Sequence, residues 1–144
     1  MIRIMAVGRM KDRRLADLAA DYMRRIRSLG KLDIQELKDT GPDREARTML
    51  AGLGSARGSQ LVVALDEHGP PLDSRGFADL LGKHGSICFL IGGPDGLGAE
   101  ALQRADRTLS LSAMTFTHEM ARVLLLEQVY RGLGILAGRP YHRD

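Results

Sequence analysis

Two periodicities divide this chain. Short apolar runs recur, and between them apolar positions fall at i, i+3, i+4 and i+7. The run Ile2–Val7, ended by Gly8, predicts a strand. Leu15, Leu18, Ala19, Tyr22, Met23, Ile26 and Leu29 keep helical spacing, and Gly30 is placed to close that helix. Leu32–Leu37 alternates imperfectly, which predicts a half-exposed or edge strand. Pro42 suits the first turn of a second helix, which ends in the Gly/Ser-rich stretch 52–59. Leu61–Leu65 reads as a buried strand, and residues 66–71 as a loop. A helix is expected over about Ser74–Lys83. Residues 86–91 are the most hydrophobic strand and therefore the central one. A short helix over about 99–105 and a fifth strand over 108–112 follow. The long final helix is apolar almost all the way round, so it should be buried on every side. Strands and helices thus alternate throughout. That pattern predicts an α/β fold, a mostly parallel sheet of five to six strands with helices on both faces. No repeat or linker interrupts it, so residues 1–144 read as a single domain.

Composition narrows the class. A chain of 144 residues can bury roughly two-thirds of its surface, and 44% hydrophobic against 27% charged residues excludes a disordered chain. No apolar run reaches the roughly 18 residues of a membrane span. The apolar start is too short for the core of a secretion signal. The single Cys88 lies in an apolar run and reads as a packed core thiol. No disulfide framework or cysteine metal cluster can form, which fits a reducing cytosol. The net charge is +3, carried by 17 Arg and 4 Lys. Arginine's planar fork suits phosphate. Residues 1–40 hold ten basic and six acidic side chains, with a cluster at Arg9, Lys11, Arg13 and Arg14. That asymmetry points toward nucleic acid, although codon bias also enriches arginine.

Ligands of such sheets bind at the C-terminal ends of strands. Three loops qualify: residues 65–68, 91–98 and 112–118. The second has glycines at 92, 93, 96 and 98, which let a ligand approach the backbone. Their spacing matches neither a dinucleotide fingerprint nor a P-loop. In the third, Thr117 is placed as N-cap of the last helix, with His118 in its first turn. Glu127 and Arg131 stand i, i+4 on that greasy helix, so they mark a subunit interface or hold the tail in place. The stub 138–144 concentrates Arg139, Tyr141, His142 and Arg143. It is either a frayed end or a site for an anionic ligand.

Four segments carry a resemblance. Residues 90–97 (Leu-Ile-Gly-Gly-Pro-Asp-Gly-Leu), 109–116 (Leu-Ser-Leu-Ser-Ala-Met-Thr-Phe), 122–131 (Arg-Val-Leu-Leu-Leu-Glu-Gln-Val-Tyr-Arg) and 140–143 (Pro-Tyr-His-Arg) occur in order. Together they resemble the ribosomal RNA large subunit methyltransferase H family of the SPOUT, or α/β-knot, superfamily, over the whole chain. The resemblance implies a C-terminal trefoil knot, a homodimer and S-adenosyl-L-methionine as methyl donor. It implies methylation at N3 of a pseudouridine in the 23S rRNA hairpin that bridges the subunits of the assembled ribosome, in the cytoplasm. Carried over by motif, the cofactor contacts are Leu65, Gly92, Gly93, Gly96, Ser112, Ala113, Met114, Thr115, Phe116 and Thr117. The family usually has Pro where this chain has Thr117. A Pro would stiffen the loop, but Thr can still cap the helix.

Methyl transfer from a sulfonium needs no metal and no enzyme nucleophile. It needs alignment and exclusion of water. An imide nitrogen must first lose its proton, so a base or a cation that stabilises the anion is required. His118, His142, Arg143 and Arg131 are the candidates, with Arg143 and His142 the first choices because a flexible tail can close over a bound base, and Tyr141 placed to stack on it; the residues alone do not assign the role. Two other classes fit the pattern: a nucleotide- or flavin-binding enzyme of flavodoxin-like order, and a non-catalytic ribosome-binding module.

Overall fold

Strand residues of alternating parity feed two separate cores, one on each face of a single sheet. The computed structural model describes residues 1–54 and 58–144. Within them β1 (Ile2–Val7), β2 (Leu32–Leu37), β3 (Leu61–Leu65), β4 (Ile87–Ile91) and β5 (Arg107–Leu109) form one sheet in the order β2-β1-β4-β3-β5. Every pairing is parallel. Ile2, Ile4, Ala6, Val63, Ile87, Phe89 and Ile91 point to one face. Met5, Val7, Val62, Cys88 and Leu90 point to the other. Both faces are dry, so the central strands read as continuous apolar runs instead of alternating ones. β4 lies in the middle and is buried at all five positions, and β2 is an edge, as the pattern predicts.

Helices α1 (Arg13–Arg27), α3 (Ser74–Lys83) and α5 (His118–Leu136) cover the first face, with α5 packed between the other two. Helices α2 (Pro42–Leu53) and α4 (Ala99–Arg104) cover the second. α5 is apolar around most of its girth because the sheet lies beneath it and a helix flanks each side. Val123, Leu125, Leu126 and Val129 are all buried within one chain. Cys88 is fully buried, and burial pushes its thiol up to about 11, as befits a packed core thiol.

Three boundaries differ from the pattern. Gly30 is not a left-handed cap: α1 ends at Arg27, and the turn closes in right-handed geometry, with Ser28 N donating to Arg25 O at 3.2 Å and Leu29 N and Gly30 N donating to Ile26 O at 2.8 and 3.0 Å. β5 covers 107–109 instead of 108–112. After Leu109 the side chains compete with the ladder: Ser110 Oγ donates to Ser112 O at 2.8 Å, and Ser112 Oγ accepts from Met114 N at 3.0 Å. The expected Gly/Ser-rich end of the second helix runs partly through 55–57, outside the described residues; the helix itself stops at Leu53, before Gly54 with φ of 74°.

Candidate active site

Four loops converge beyond the C-terminal ends of the strands and enclose an open cleft of about 1110 Å³. That volume is large enough for a cofactor-sized ligand, since such pockets span roughly 300–1,000 Å³. Leu65, Ile91 and Leu109 supply an apolar floor from the ends of β3, β4 and β5. The loop after β4 lines one wall with backbone. Gly93 and Gly96 pair across a tight turn, with Gly96 N donating to Gly93 O at 3.0 Å. Pro94 and Asp95 occupy its centre, as such turns prefer. Gly96 needs its φ of 80°, and Gly92 has no room for a side chain: a Cβ there would lie 2.5 Å from Gly96 C. The backbone of this turn is therefore presented to the cleft because side chains are excluded from it.

The segment 110–117 forms the facing wall. Thr115 Oγ1 donates to Glu67 Oε2 at 2.5 Å, tying it to the loop after β3. Thr117 caps α5, its hydroxyl accepting from Met120 N at 3.2 Å, so the departure from the usual Pro keeps the helix start. His118 lines the cleft above Gly8, and its ring has no hydrogen-bond partner among the described residues.

The cofactor contacts expected from sequence, Leu65, Gly92, Gly93, Gly96, Ser112, Met114, Thr115, Phe116 and Thr117, all line this cleft, and so does His118. Ala113 is exposed and does not. A side chain on Gly93 would not enter the cleft either. Its Cβ would face inward, 3.0 Å from Val7 Cγ1, so Gly93 turns only backbone toward the cleft and its substitution would act through the core.

A fourth loop was missed. Asp12, Leu15 and Glu119 place the β1–α1 connection on the cleft rim. The rule about strand ends, applied also to Val7–Gly8, would have found it.

The tail is ordered but lies elsewhere. Tyr141 OH donates to Glu127 Oε1 at 3.1 Å and stands 3.3 Å from Tyr22 OH. Burial, then the bond to Tyr22 and the Glu127 charge, push its phenol up. Glu127 Oε1 also accepts from Arg131 Nε and Nη2 at 3.0 and 2.6 Å. Of the two roles open to the Glu127–Arg131 pair, it performs the second and holds the tail. Arg131 Nη1 can only donate, so His142 Nδ1, 3.1 Å away, accepts and Nε2 carries the hydrogen that faces Asp144 Oδ1 at 2.9 Å. Arg75, then His142, holds the Asp144 carboxyl down to about 2. Glu127 lies nine residues beyond His118, roughly 13 Å along the helix axis, so Tyr141 and His142 do not meet their own chain's cleft. Arg143 is exposed and has no polar partner among the described residues.

A crevice at the carboxyl ends of parallel strands, floored by apolar residues and walled by glycine backbone, defines a site for a nucleotide-like ligand in an α/β enzyme. The family model described as "Predicted SPOUT methyltransferase" matches residues 1–142, and the chain belongs to that family. Methyltransferases of this family use S-adenosylmethionine. The chain is 43% identical over 157 residues to the ribosomal RNA large subunit methyltransferase H of Nitratidesulfovibrio vulgaris (strain DP4), covering 99% of this chain and 98% of that protein. It is 42% identical to the protein of the same name from Synechococcus sp. (strain RCC307), covering 99% and 95%. Among solved structures, a probable methylase family protein from Haemophilus influenzae Rd KW20 shares the fold with a TM-score of 0.57 at 13% identity, covering 99% of this chain and 70% of that one.

Proposed function

We propose that this chain is an S-adenosylmethionine-dependent rRNA methyltransferase that acts at N3 of a pseudouridine in the 23S rRNA hairpin bridging the ribosomal subunits. Its place of action is then the cytoplasm, on assembled ribosomes. The observation that carries this reading is the cleft. Its walls are two of the segments that match the family, 90–97 and 109–116, and relatives at 42–43% identity over nearly their whole length are named as ribosomal RNA large subunit methyltransferases.

The residues suit the donor. Leu65, Ile91 and Leu109 can take a flat heterocycle, and the backbone of 92–97 can bond its polar edge. Asp66, Glu67, Asp95 and Glu119 on the rim favour a cationic ligand. When bound, S-adenosylmethionine supplies an electrophilic methyl group. The chain's own part is to align the two reactants, exclude water and manage the N3 proton. His118 is placed to take that proton, because its ring faces the cleft with no partner of its own. Arg143 can stabilise the imide anion, with Tyr141 and His142 beside it. The docked position of the tail supports a homodimer: held by Glu127 and Arg131 outside its own cleft, the tail serves a second copy's cleft or undocks. The same reading includes one domain over 1–144 and a C-terminal trefoil knot. Support for the knot comes from the chain's membership of the SPOUT methyltransferase family.

The test is transfer of labelled methyl from S-adenosylmethionine to assembled ribosomes and to free rRNA, with light scattering on the same sample. Incorporation into ribosomes by a species of about twice 15.8 kDa is expected. No incorporation, together with thermal stabilisation by a flavin or nucleotide and not by S-adenosylmethionine, would overturn the reading.

A further inference from the structure

The cationic segment 9–14 stands beside the cleft and takes no part in the chemistry above. Arg9, Lys11 and Arg13 are exposed. Among the described residues none of the three has a carboxylate or other polar side-chain partner. The acidic groups nearby are otherwise engaged. Asp12 caps α1, accepting from Arg14 N at 2.9 Å and Leu15 N at 3.3 Å, and its second oxygen pairs with Arg14 Nη2 at 2.9 Å. Arg14, then the backbone of Leu15, holds the Asp12 carboxyl down to about 2, so this pair stays charged and internally neutral. Glu119, in the first turn of α5, accepts from Lys11 N at 2.8 Å and Asp12 N at 3.0 Å. Gly8 N donates to Leu37 O at 2.8 Å at the other end. A run of charges is usually a solvated face, and loops that carry one are usually loose. This loop is fixed at both ends, and one anchor is the helix whose start forms the cleft wall.

We infer that Arg9, Lys11 and Arg13 form a phosphate-binding rim that grips the RNA backbone beside the nucleotide entering the cleft, and that Glu119 is the positioning residue that sets this rim against the site. The inference rests on the rRNA methyltransferase reading. Three cations on five consecutive residues match a polyanion with regularly spaced charges. Their place at the cleft mouth puts those charges beside the base to be modified. The loop thereby joins two functions through one side chain: the first turn of α5 carries His118 into the cleft and Glu119 into the RNA-binding loop.

The experiment uses the full-length protein and ribosomes purified from cells lacking it. In Arg9→Ala/Lys11→Ala/Arg13→Ala, the KM for ribosomes should rise about tenfold or more, and the slope of log affinity against log salt should flatten by about 2–3, as loss of three phosphate contacts requires. Calorimetric affinity for S-adenosylmethionine and kcat should hold. Glu119→Ala makes the surface more positive, so simple attraction would tighten RNA binding. The inference predicts the opposite, a raised KM, with Glu119→Gln restoring it because an amide oxygen still accepts from both backbone groups. An unchanged KM and salt slope in the triple variant overturn the inference while leaving the methyltransferase reading intact. Tighter binding by Glu119→Ala overturns the positioning role. A wild-type protein that neither binds nor methylates ribosomes overturns the inference and that reading together.

Discussion

Replacing Gly92 by Ala tests the cleft wall with one methyl group. A Cβ there would lie 2.5 Å from Gly96 C and 2.7 Å from both Gly96 O and Leu97 N. All three are backbone atoms, so no rotamer change relieves the contact. Ordinary contact begins near 3.4 Å, which forces the turn to open by about 0.9 Å. Such overpacking costs about 1–3 kcal/mol. For a chain of 144 residues that corresponds to a fall in Tm of about 3–10 °C. The shift also moves the wall that presents backbone to the cleft, where we propose that the cofactor binds. Affinity for S-adenosylmethionine should fall about tenfold, and a displacement near 1 Å at a reacting centre lowers kcat by about a hundredfold. Gly85→Ala is the control. Its Cβ meets nothing within 4 Å and its φ is not positive, so the change should stay within about 0.5 kcal/mol. Calorimetric melting and titration with the cofactor measure both quantities. A Gly92→Ala protein with wild-type Tm and affinity would refute the argument, because it would show a turn free to yield and remote from the ligand.

Three further outcomes follow from the packing. Arg122 is 8% exposed, its Nη1 lies 2.7 Å from Glu36 Oε2, and its Nε has no partner among the described residues. Glu36→Ala strands that charge and should cost about 2 kcal/mol in urea unfolding, below the roughly 3–5 kcal/mol of a fully buried pair because Glu36 is itself 40% exposed; no change would show that Arg122 reaches solvent. The Asp144 carboxyl lies near 2 when folded against an ordinary 3.8, so its contribution to tail docking is complete above pH 3.8 and is lost as pH falls through 2. A carboxyl titration by nuclear magnetic resonance should show that value, and Arg75→Ala should raise it toward 3.8; an unmoved value would break the Arg75–Asp144 assignment. Deleting residues 139–144 should abolish methylation while circular dichroism and light scattering stay those of the full-length protein, whereas wild-type rates would show that the tail is only an end.

Element identity was legible because burial on both faces leaves an unambiguous record. β4 could be read as central from five consecutive apolar residues, and β2 as an edge from its imperfect alternation. The end of β5 was not, because Ser110 and Ser112 satisfy the local backbone with their own oxygens, a competition that residue type hints at but does not decide. Nine of the ten cofactor contacts that the resemblance implies line the cleft, and so does His118, which the loop pattern put in the first turn of the last helix. What stayed hidden was direction and distance. Nothing in sequence tells that a Cβ on Gly93 faces Val7 and not the ligand. Nor does it tell that Tyr141 and His142 bind Glu127 and Arg131, away from the site that their composition suits. The β1–α1 loop was legible as charge and went unrecognised as part of the rim, since its link to the site is one long-range contact, from Glu119 to Lys11 and Asp12.

The central claim is most directly tested by mass-spectrometric mapping of 23S rRNA from a strain lacking this chain, beside the same strain with the chain restored. The account predicts that one pseudouridine in the intersubunit hairpin loses a single methyl group, located to N3 by fragmentation, and regains it on restoration. An identical set of modified nucleotides in both strains, or a loss confined to another nucleotide, would contradict it.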